Sequence, residues 1–432
     1  MRASLLLALS LAALPAGGAE ASSGPCFPGH SGASCQFRSA TVTSINDGDT
    51  VKVDLNGDRS RRIYSIRFRA VQAMELRRYG IRRSRRGGDC HAVAAANRVE
   101  DLIRAARNRV RLSAQQPSTD HDGRLVRWVA VRRHGRWQDV GEILMREGHA
   151  LWMASITDTA WNQRYDLLGQ RAAQAHRNLW NPSSCSPGPQ QAVPIRLWAI
   201  SDPLGRDTPE GEWIKVQNRS ATETLQLGGW WVRDAMLRRF TFPAGTTVAP
   251  GATVTLHVAS GASGGSEFFW GLRTTVFENA GDDRRLGDGA YLFDPQGDLR
   301  AWMLYPCLTA CSDPYEGALE VSARPRQPEQ VTIRNRSDRP VDLYGYALSI
   351  DGATVPFEPG SVLEPGGTMT VVIQGSPDED TADVRHLGAG GYLLPGAGWA
   401  SARSTGSCSR ATRGATAPAD RLSARHEGGR CG

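Results

Sequence analysis

The sequence predicts a multidomain, β-rich protein in which a small β-barrel with three helices is followed by two all-β sandwiches. At 432 residues the chain exceeds the length of one ordinary domain. Before residue 181 both strand-like alternation and helical spacing occur, whereas after residue 190 a period of two prevails. Short motifs also recur in one order in the later part, which indicates a duplicated domain.

Five stretches of residues 40–181 have the alternation typical of β-strands. They begin near residues 41 and 51 and cover residues 63–71, 110–112 and 125–131. The dipeptide Asn56-Gly57 between the second and the third stretch is a hairpin signal.

Three helices complete this part of the chain. Asp89 is the expected N-cap of the first. Asp139 and Glu142 form a capping-box-like start for the second, which ends at Gly148. An apolar stripe that begins at Trp161 predicts the third. Three strands, a helix, two strands and two helices together predict a closed five-stranded barrel, a fold that often binds nucleic acid.

The later part contains four motifs that occur twice in the same order. Residues 214–220 recur as 331–337, 227–230 as 343–346, 248–251 as 363–366, and 289–292 as 390–393. This indicates two copies of one sandwich, at residues 193–306 and 316–401. A linker rich in Pro, Ser and Gln is predicted at residues 182–192, and a tail at residues 402–432.

The N-terminus predicts export. Residues 1–21 combine a positive charge, a short apolar run and the sequence Ala19-Glu20-Ala21, which fits a signal-peptide cleavage site. No segment is apolar enough to span a membrane. We therefore expect a secreted, extracellular protein, either free or associated with the cell surface.

Eight cysteines follow the signal peptide, and an even number in an exported chain favours disulfides. Neighbourhood in the sequence suggests the pairs Cys26–Cys35, Cys307–Cys311 and Cys408–Cys431, which leaves Cys90–Cys185. The first pair would pin a leader at residues 22–39. A zinc site is the competing interpretation, but no Cys-x-x-Cys or His-x-x-x-His pair accompanies the cysteines.

Positive charge is concentrated in the predicted barrel. Between Arg38 and Arg177 there are 27 Arg and Lys residues and 15 Asp and Glu residues, a net charge of +12, whereas the whole chain carries +7. Such a patch attracts polyanions. A soluble, arginine-rich surface is the alternative, because the chain has only two lysines.

Four short segments of the barrel carry the residue types needed to cleave a phosphodiester. Asp47-Gly48-Asp49 offers acidic oxygens to a hard cation, and Glu75 is an isolated carboxylate. Arg67 and Arg124 are two guanidiniums that can each bind a phosphate through two hydrogen bonds. This inventory predicts metal-assisted hydrolysis of nucleic acid.

In these segments residues 40–181 resemble the staphylococcal nuclease-like (thermonuclease) family. The matching motifs are Asp47-Gly48-Asp49-Thr50-Val51, the strand that ends in Arg67 and leads to Glu75, Gly123-Arg124, Gly148, and Asn178-Leu179-Trp180. The resemblance implies an OB-fold five-stranded barrel. It also implies calcium-dependent endonucleolytic cleavage of DNA and RNA that leaves 3′-phosphorylated ends.

The resemblance assigns roles to three catalytic residues. Glu75 corresponds to the carboxylate that orients or deprotonates the attacking water, and Arg67 and Arg124 to the residues that hold the phosphate. A water nucleophile needs a nearby base, and negative charge that develops on phosphorus needs nearby positive charge.

The resemblance also implies one bound ion, Ca²⁺ or another divalent cation. Asp49 corresponds to a direct ligand, and Asp47 lies just outside it. Gln72 stands where the family has a second carboxylate, so the site keeps an oxygen donor but loses a formal charge. Asp122 replaces a tyrosine that is common in the family, and Trp128 or Trp152 would have to supply any stacking instead.

An arginine-rich loop follows Glu75. Its residues Arg77, Arg78, Tyr79, Arg82 and Arg83 predict a mobile loop that follows a nucleic-acid backbone, with the tyrosine stacking on a base. A solvated loop without a ligand is the alternative.

Both sandwiches resemble lamin-tail domains, which are immunoglobulin-like. The first carries Gly228-Gly229-Trp230, residues 239–251 and residues 291–297 of that pattern, and the second matches through the repeat. A fold of this kind does not define an activity, so we expect targeting or binding modules. The sequence does not identify their partner, for which a cell wall and an extracellular matrix are the candidates. Two alternatives to a nuclease stay open: a non-catalytic nucleic-acid-binding protein and a surface adhesin.

Overall fold

The computed structural model of the chain describes residues 22–26, 33–185, 193–200, 208–277, 287–305, 309, most of 317–386, and 401–404. The described part is mostly β, with three α-helices and several sheets. None of the described helices is long and apolar enough to cross a membrane. The predicted signal peptide and residues 405–432 of the predicted tail lie outside the described residues, whereas residues 402–404 belong to a strand and not to a tail.

The first domain is built from eleven strands and three helices. The strands are β1 (Ser22–Pro25), β2 (Ser34–Ile45), β3 (Thr50–Leu55), β4 (Ile63–Phe68), β5 (Val71–Gln72), β6 (Leu76–Arg78), β7 (Gly87–Gly88), β8 (Arg109–Thr119), β9 (Leu125–Arg133), β10 (Arg136–Asp139) and β11 (Leu151–Trp152). The helices are α1 (Ala92–Ala105), α2 (Val140–Glu147) and α3 (Asn162–Gln174).

Five of these strands pair in a closed ring. The order is β2, β3, β4, β9 and β8, and β8 pairs with β2 again. Only the β4–β9 pair is parallel. Their inward residues and the buried faces of the helices form one apolar core. The order of the five barrel strands and the three helices matches the prediction from the sequence.

Two local predictions were wrong. The return strand was expected to reach residue 71, but β4 ends at Phe68 because Ala70 adopts a left-handed φ of 59°. Asp89 does not cap α1 with its side chain, since the N-cap is His91. The Asp89 carboxylate pairs instead with Arg77 at 2.7 Å. In α2, by contrast, Asp139 caps as predicted and accepts a hydrogen bond from the Glu142 amide at 2.8 Å.

The first sandwich spans ten strands. They are β12 (Ile195–Ile200), β13 (Trp213–Asn218), β14 (Leu225–Gln226), β15 (Trp231–Arg233), β16 (Arg239–Thr241), β17 (Thr247–Val248), β18 (Thr253–His257), β19 (Glu267–Phe269), β20 (Asp288–Phe293) and β21 (Leu299–Tyr305). One sheet has the order β12-β13-β18-β19, and the facing sheet has the order β16-β15-β20-β21.

The second sandwich repeats this topology. Its strands are β22 (Leu319–Arg324), β23 (Gln330–Asn335), β24 (Val341–Asp342), β25 (Tyr346–Ile350), β26 (Ala353–Pro356), β27 (Val362–Leu363), β28 (Thr368–Val372), β29 (Val384–His386) and β30 (Ser401–Ser404). The sheet β22-β23-β28-β29 corresponds to β12-β13-β18-β19. Asn218 and Asn335, which are equivalent in the repeat, are both fully buried. The side-chain amide of each donates to a backbone carbonyl of another strand of its own sandwich at 2.9 Å.

Two of the predicted disulfides are present. Cys26–Cys35 closes the leader, whose strand β1 pairs with β2, and Cys90–Cys185 joins the start of α1 to the end of the first domain. The Cys90–Cys185 bond also decides against zinc at these two cysteines. The pairs Cys307–Cys311 and Cys408–Cys431 lie outside the described residues.

The first domain and the first sandwich share an apolar cluster. Trp180, at the end of the first domain, is fully buried and lies against Tyr291 and Trp302 of the sandwich, with ring centroids 6.0 and 5.3 Å apart. The same cluster contains Met74 and Leu76 from the barrel domain. The two units are therefore packed together and are not simply joined by the predicted linker.

The Cys90–Cys185 disulfide lies where the first domain meets the first sandwich. Asp298 of the sandwich accepts a hydrogen bond from the Cys185 amide at 2.9 Å. A Cβ placed on Gly297 would lie 3.2 Å from the Cβ of Cys90, a tighter contact than most. The core cluster of the second sandwich, in contrast, contains only that sandwich's own residues.

Candidate active site

The acidic motif forms a tight turn between β2 and β3. The amides of Asn46 and Asp47 both point to the Thr50 carbonyl, at 3.0 and 3.3 Å. Gly48 lies in close contact with the rest of the domain, because an added Cβ would come within 2.6 Å of Ala73 and 2.7 Å of Ala95. The glycine thus lets this turn approach helix α1 and the segment that leads to Glu75.

Asp49 is buried and fixed by several partners. Its Oδ1 lies 3.1 Å from Nη1 of Arg67 and accepts the Thr50 hydroxyl at 3.0 Å. Its Oδ2 accepts the Ala73 amide at 2.8 Å. The turn, the end of β4 and the segment after β5 are therefore connected through one carboxylate.

Gln72 bridges the predicted phosphate-binding arginine and the predicted base. Its Oε1 accepts Nη2 of Arg67 at 2.6 Å, and its Nε2 donates to Oε1 of Glu75 at 3.0 Å. Arg67 also donates to the Val71 carbonyl at 2.5 Å. The structure thus brings Asp49, Arg67, Gln72 and Glu75 into one hydrogen-bonded chain.

The oxygen donors of this chain fit a hard cation in chemical type. Asp47 accepts the Asp49 amide at 3.0 Å, so the two carboxylates are adjacent. Burial, and next the charge of Asp49, raise the pKa of Asp47 to about 7, with Arg67 acting in the opposite direction. Excess negative charge in a poorly solvated place is what a bound cation would neutralise. The Gln72 oxygen is already engaged by Arg67.

The carboxylates are not gathered into a ready-made metal cluster. In the described part of the chain, the only group of three close Cys, His, Asp or Glu donors is Cys90, His91 and Cys185. Its two cysteines are joined to each other. His91 instead contacts the Ser184 hydroxyl at 2.6 Å. A cation at the acidic turn would therefore rely on amide oxygens and water as well as on Asp47 and Asp49.

Glu75 lies in a partly buried position next to the sandwich. Burial raises its pKa above the ordinary value, and the charge of Asp49 acts in the same direction, whereas Arg67, Gln72 and Arg233 oppose it. Arg233 belongs to β15 of the sandwich and is 3 % exposed. The candidate base therefore has a cation from the other domain in its surroundings.

Arg124 is held by two acids of its own loop. Its Nε lies 2.7 Å from Asp120 and its Nη2 lies 3.0 Å from Asp122. Asp120 also accepts the Arg124 amide at 2.9 Å, across a turn in which Gly123 has a φ of 75°. The unusual Asp122 therefore has a direct partner, and Arg124 is partly neutralised.

The arginine-rich loop divides into exposed and anchored residues. Tyr79 is 59 % exposed, and Arg77, Arg78 and Arg82 are exposed as well. Arg83 is engaged by Glu100 and Asp101 of α1, and a short 3-10 helix covers residues 83–85.

Arg86 adds a second anchor, because it pairs with Glu100 at 2.8 Å and donates to Asn97 at 2.6 Å. The second half of the loop is therefore tied to α1 through Arg83 and Arg86.

Several functional features differ from the sequence prediction. Trp128 and Trp152 are 1 % and 2 % exposed and belong to the barrel core, so neither is available to stack on a base. Arg69 was not noticed in the sequence. It pairs with buried Asp158 at 3.0 Å and fixes the loop after β11. Arg233 was missed too, because nothing in a β-sandwich sequence indicates which face meets another domain.

A family model described as Lamin Tail Domain matches residues 199–306. This part of the chain, which coincides with the first sandwich, is therefore a lamin-tail domain, as the sequence predicted. No curated protein matches the sequence.

Proposed function

We propose that the chain is a secreted endonuclease that hydrolyses DNA and RNA with the help of a divalent cation, most simply Ca²⁺, and leaves 3′-phosphorylated ends. The observation that carries the proposal is the hydrogen-bonded chain from Asp49 through Arg67 and Gln72 to Glu75. It unites acidic oxygens, a guanidinium and a candidate base at the end of one barrel strand. The closed ring of five strands supports assignment of the barrel to the OB-fold and its likeness to thermonucleases.

Each residue of the site has a task in this reaction. Arg67 and Arg124 bind the phosphate and stabilise the charge that develops in the transition state. Glu75 accepts a proton from the attacking water, and Gln72 holds the carboxylate of Glu75 through its amide nitrogen. Before Arg67 can bind a phosphate through two hydrogen bonds, it must exchange its contact with Gln72 for the substrate.

The metal would be held by Asp49, with Asp47 next to it and Gln72 as a neutral oxygen donor. When bound, such a cation polarises a phosphate oxygen and neutralises part of its charge. This site has one negative charge fewer than a site with a second carboxylate. We therefore expect weak binding of Ca²⁺.

Cleavage is expected to require a divalent cation and to improve when the missing charge is restored. Plasmid and RNA cleavage should stop in EDTA and return with Ca²⁺, and Gln72→Asp should lower the Ca²⁺ concentration needed for half-maximal rate. Calorimetric titration of Ca²⁺ measures the same change without substrate. Gln116→Asp, outside the site, is the control. A purified protein that cleaves nothing with any divalent cation contradicts the proposal.

A nucleic-acid-binding protein without catalytic activity is the second candidate. It is favoured by the fact that both arginines are already engaged, Arg67 by Gln72 and Asp49, and Arg124 by Asp120 and Asp122. Gel-shift binding without cleavage under any of the cation conditions would support it.

Release of Arg124 is expected to improve substrate binding. Asp122→Asn removes one of its two acidic partners, worth up to about 1 kcal/mol for an exposed pair, and should lower KM a few-fold with little change in kcat. Asp58→Asn, on the exposed turn before β4, is the matched control. A higher KM in Asp122→Asn would show that Asp122 orients Arg124 and does not compete with the substrate.

The lamin-tail domain and the second sandwich are proposed to bind or target the enzyme to a surface such as a cell wall or matrix. The second sandwich supports a role of this kind, since its core is separate from the other two. We assign it as a divergent lamin-tail domain on the basis of the shared sheet order and the equivalent buried asparagines.

A further inference from the structure

The lamin-tail domain meets the barrel domain with the outer face of one sheet. In the register of β15, Val232 lies opposite Phe240 and Leu292, and these side chains point into the sandwich core. The neighbours Trp231 and Arg233 must point the other way, because successive residues of a strand alternate between faces. Trp231 indeed belongs to the cluster shared with the barrel domain.

The same register places Arg239 on this outer face. Residues directly opposite each other in an antiparallel pair lie on one face, and Arg239 is opposite Arg233, while Thr241 is opposite Trp231. Strand β16 is the edge of the sheet, and both Arg239 and Thr241 are exposed. The apolar part of the face is thus covered by the barrel domain, whereas its edge remains open.

Barrel residues that flank the candidate base take part in the contact with this sheet. Leu76, which follows Glu75, shares the interdomain cluster with Trp231. The backbone amide of Asp89 donates to the Glu75 carbonyl at 2.9 Å, and the Asp89 side chain holds Arg77. Burial lowers the pKa of Arg239, while the charge of Asp89 raises it and that of Arg77 lowers it further, as expected if all three are neighbours.

Arg239 is exposed, and an aromatic contact restricts its side chain. Its guanidinium lies over the Trp231 ring, 4.1 Å from the centroid, which restricts the side chain. Trp231 in turn stacks on Phe293 at 4.1 Å with nearly parallel planes. Arg77 has 74 % of its side chain exposed. Arg77 and Arg239 are therefore exposed guanidiniums of the two domains, and both feel the charge of Asp89, Arg77 through direct contact.

We propose that Arg239 of the lamin-tail domain binds the phosphate backbone of the nucleic acid beside the cleavage site, together with Arg77 of the barrel domain. The inference rests on the proposed function, since it extends the substrate path of that site. It gives the lamin-tail domain a part in substrate binding in addition to any targeting role. Because backbone phosphates are contacted, the contribution is independent of base sequence.

Binding of a labelled single-stranded oligonucleotide to the full chain, measured by fluorescence anisotropy in EDTA over a salt series, tests the proposal without cleavage. Arg239→Gln should bind several-fold more weakly at low salt, and the slope of log K against log salt should become shallower by about 0.7, as for the loss of one phosphate contact on a single strand. Arg239→Lys, which keeps the charge, should retain most of the slope.

Arg219→Gln is the matched control, because this exposed arginine follows β13 on the other sheet of the same domain. Thermal unfolding of each variant shows whether the fold is retained. If Arg239→Gln keeps the wild-type slope, or if Arg219→Gln changes it equally, the inference is wrong. Cleavage by the wild-type protein is measured separately, so failure of the proposed nuclease activity is distinguished from failure of this contact.

Discussion

Replacing Arg67 by alanine is expected to lower the rate of DNA and RNA cleavage at least ~100-fold, as for the loss of one well-placed charged donor in an active site. The guanidinium is the central group of the candidate site, since it contacts Asp49, Gln72 and the Val71 carbonyl at once. The effect should appear mainly in kcat if the contact strengthens in the transition state. Initial rates at saturating and subsaturating substrate separate kcat from KM.

Because Arg67 is almost completely buried, its loss also leaves Asp49 without its cation. Arg67→Lys addresses this point: it keeps the charge but cannot copy the planar donors, so it should fold better than the alanine variant and still cleave poorly. Arg61→Ala, on the exposed segment before β4, is the control and should cleave like the wild type. An active Arg67→Ala protein that melts at the wild-type temperature would remove Arg67 from the mechanism.

Removal of the lamin-tail domain is expected to have the second large effect. A chain that ends at residue 192 would expose Trp180, Met74 and Leu76, all of which are now buried. Exposure of apolar surface costs about 25 cal/mol per Å², and the segment that flanks Glu75 would lose its support. We expect aggregation or a much lower melting temperature, together with a large loss of cleavage.

A chain that ends at residue 316 is the matched control. It lacks the second sandwich, whose core contains only its own residues, and the predicted tail, and it should keep the melting temperature and most of the activity of the full protein. Differential scanning calorimetry and plasmid cleavage on all three chains check both statements. If the chain that ends at residue 192 cleaves as fast as the full protein, the lamin-tail domain is only an appendage.

Much of the local structure followed from the sequence because it depends on neighbouring residues. The cap at Asp139 and the left-handed Gly148 are determined within one helical turn. The internal repeat predicted two sandwiches, because strands and the turns between them can be recognised from residue alternation and turn motifs. Asp49, Arg67 and Glu75 were identified from residue type and spacing, and Gln72 from the resemblance to the nuclease family. The structure places all four in one chain of contacts.

The remaining features depend on contacts that spacing does not encode. In the sequence Trp231 has the pattern of a core aromatic residue, yet in the structure it belongs to the interdomain cluster. A strand with apolar residues on both faces does not show which face another domain covers. In the sequence Asp122 indicated only the loss of an aromatic residue, whereas in the structure it pairs directly with Arg124. Asp89 is of a residue type that often caps helices, but its carboxylate forms an ion pair with the exposed Arg77.

The disulfide Cys90–Cys185 has a consequence for assembly during synthesis. Both cysteines precede the lamin-tail domain in the chain, so the bond can close before that domain has been made. Once closed, it fixes the point from which the chain continues, and only residues 186–192 separate Cys185 from Val193, the next described residue. A short tether of this kind gives an effective concentration of about millimolar. Docking of the two domains within one chain therefore needs a less stable interface than association of two separate proteins would.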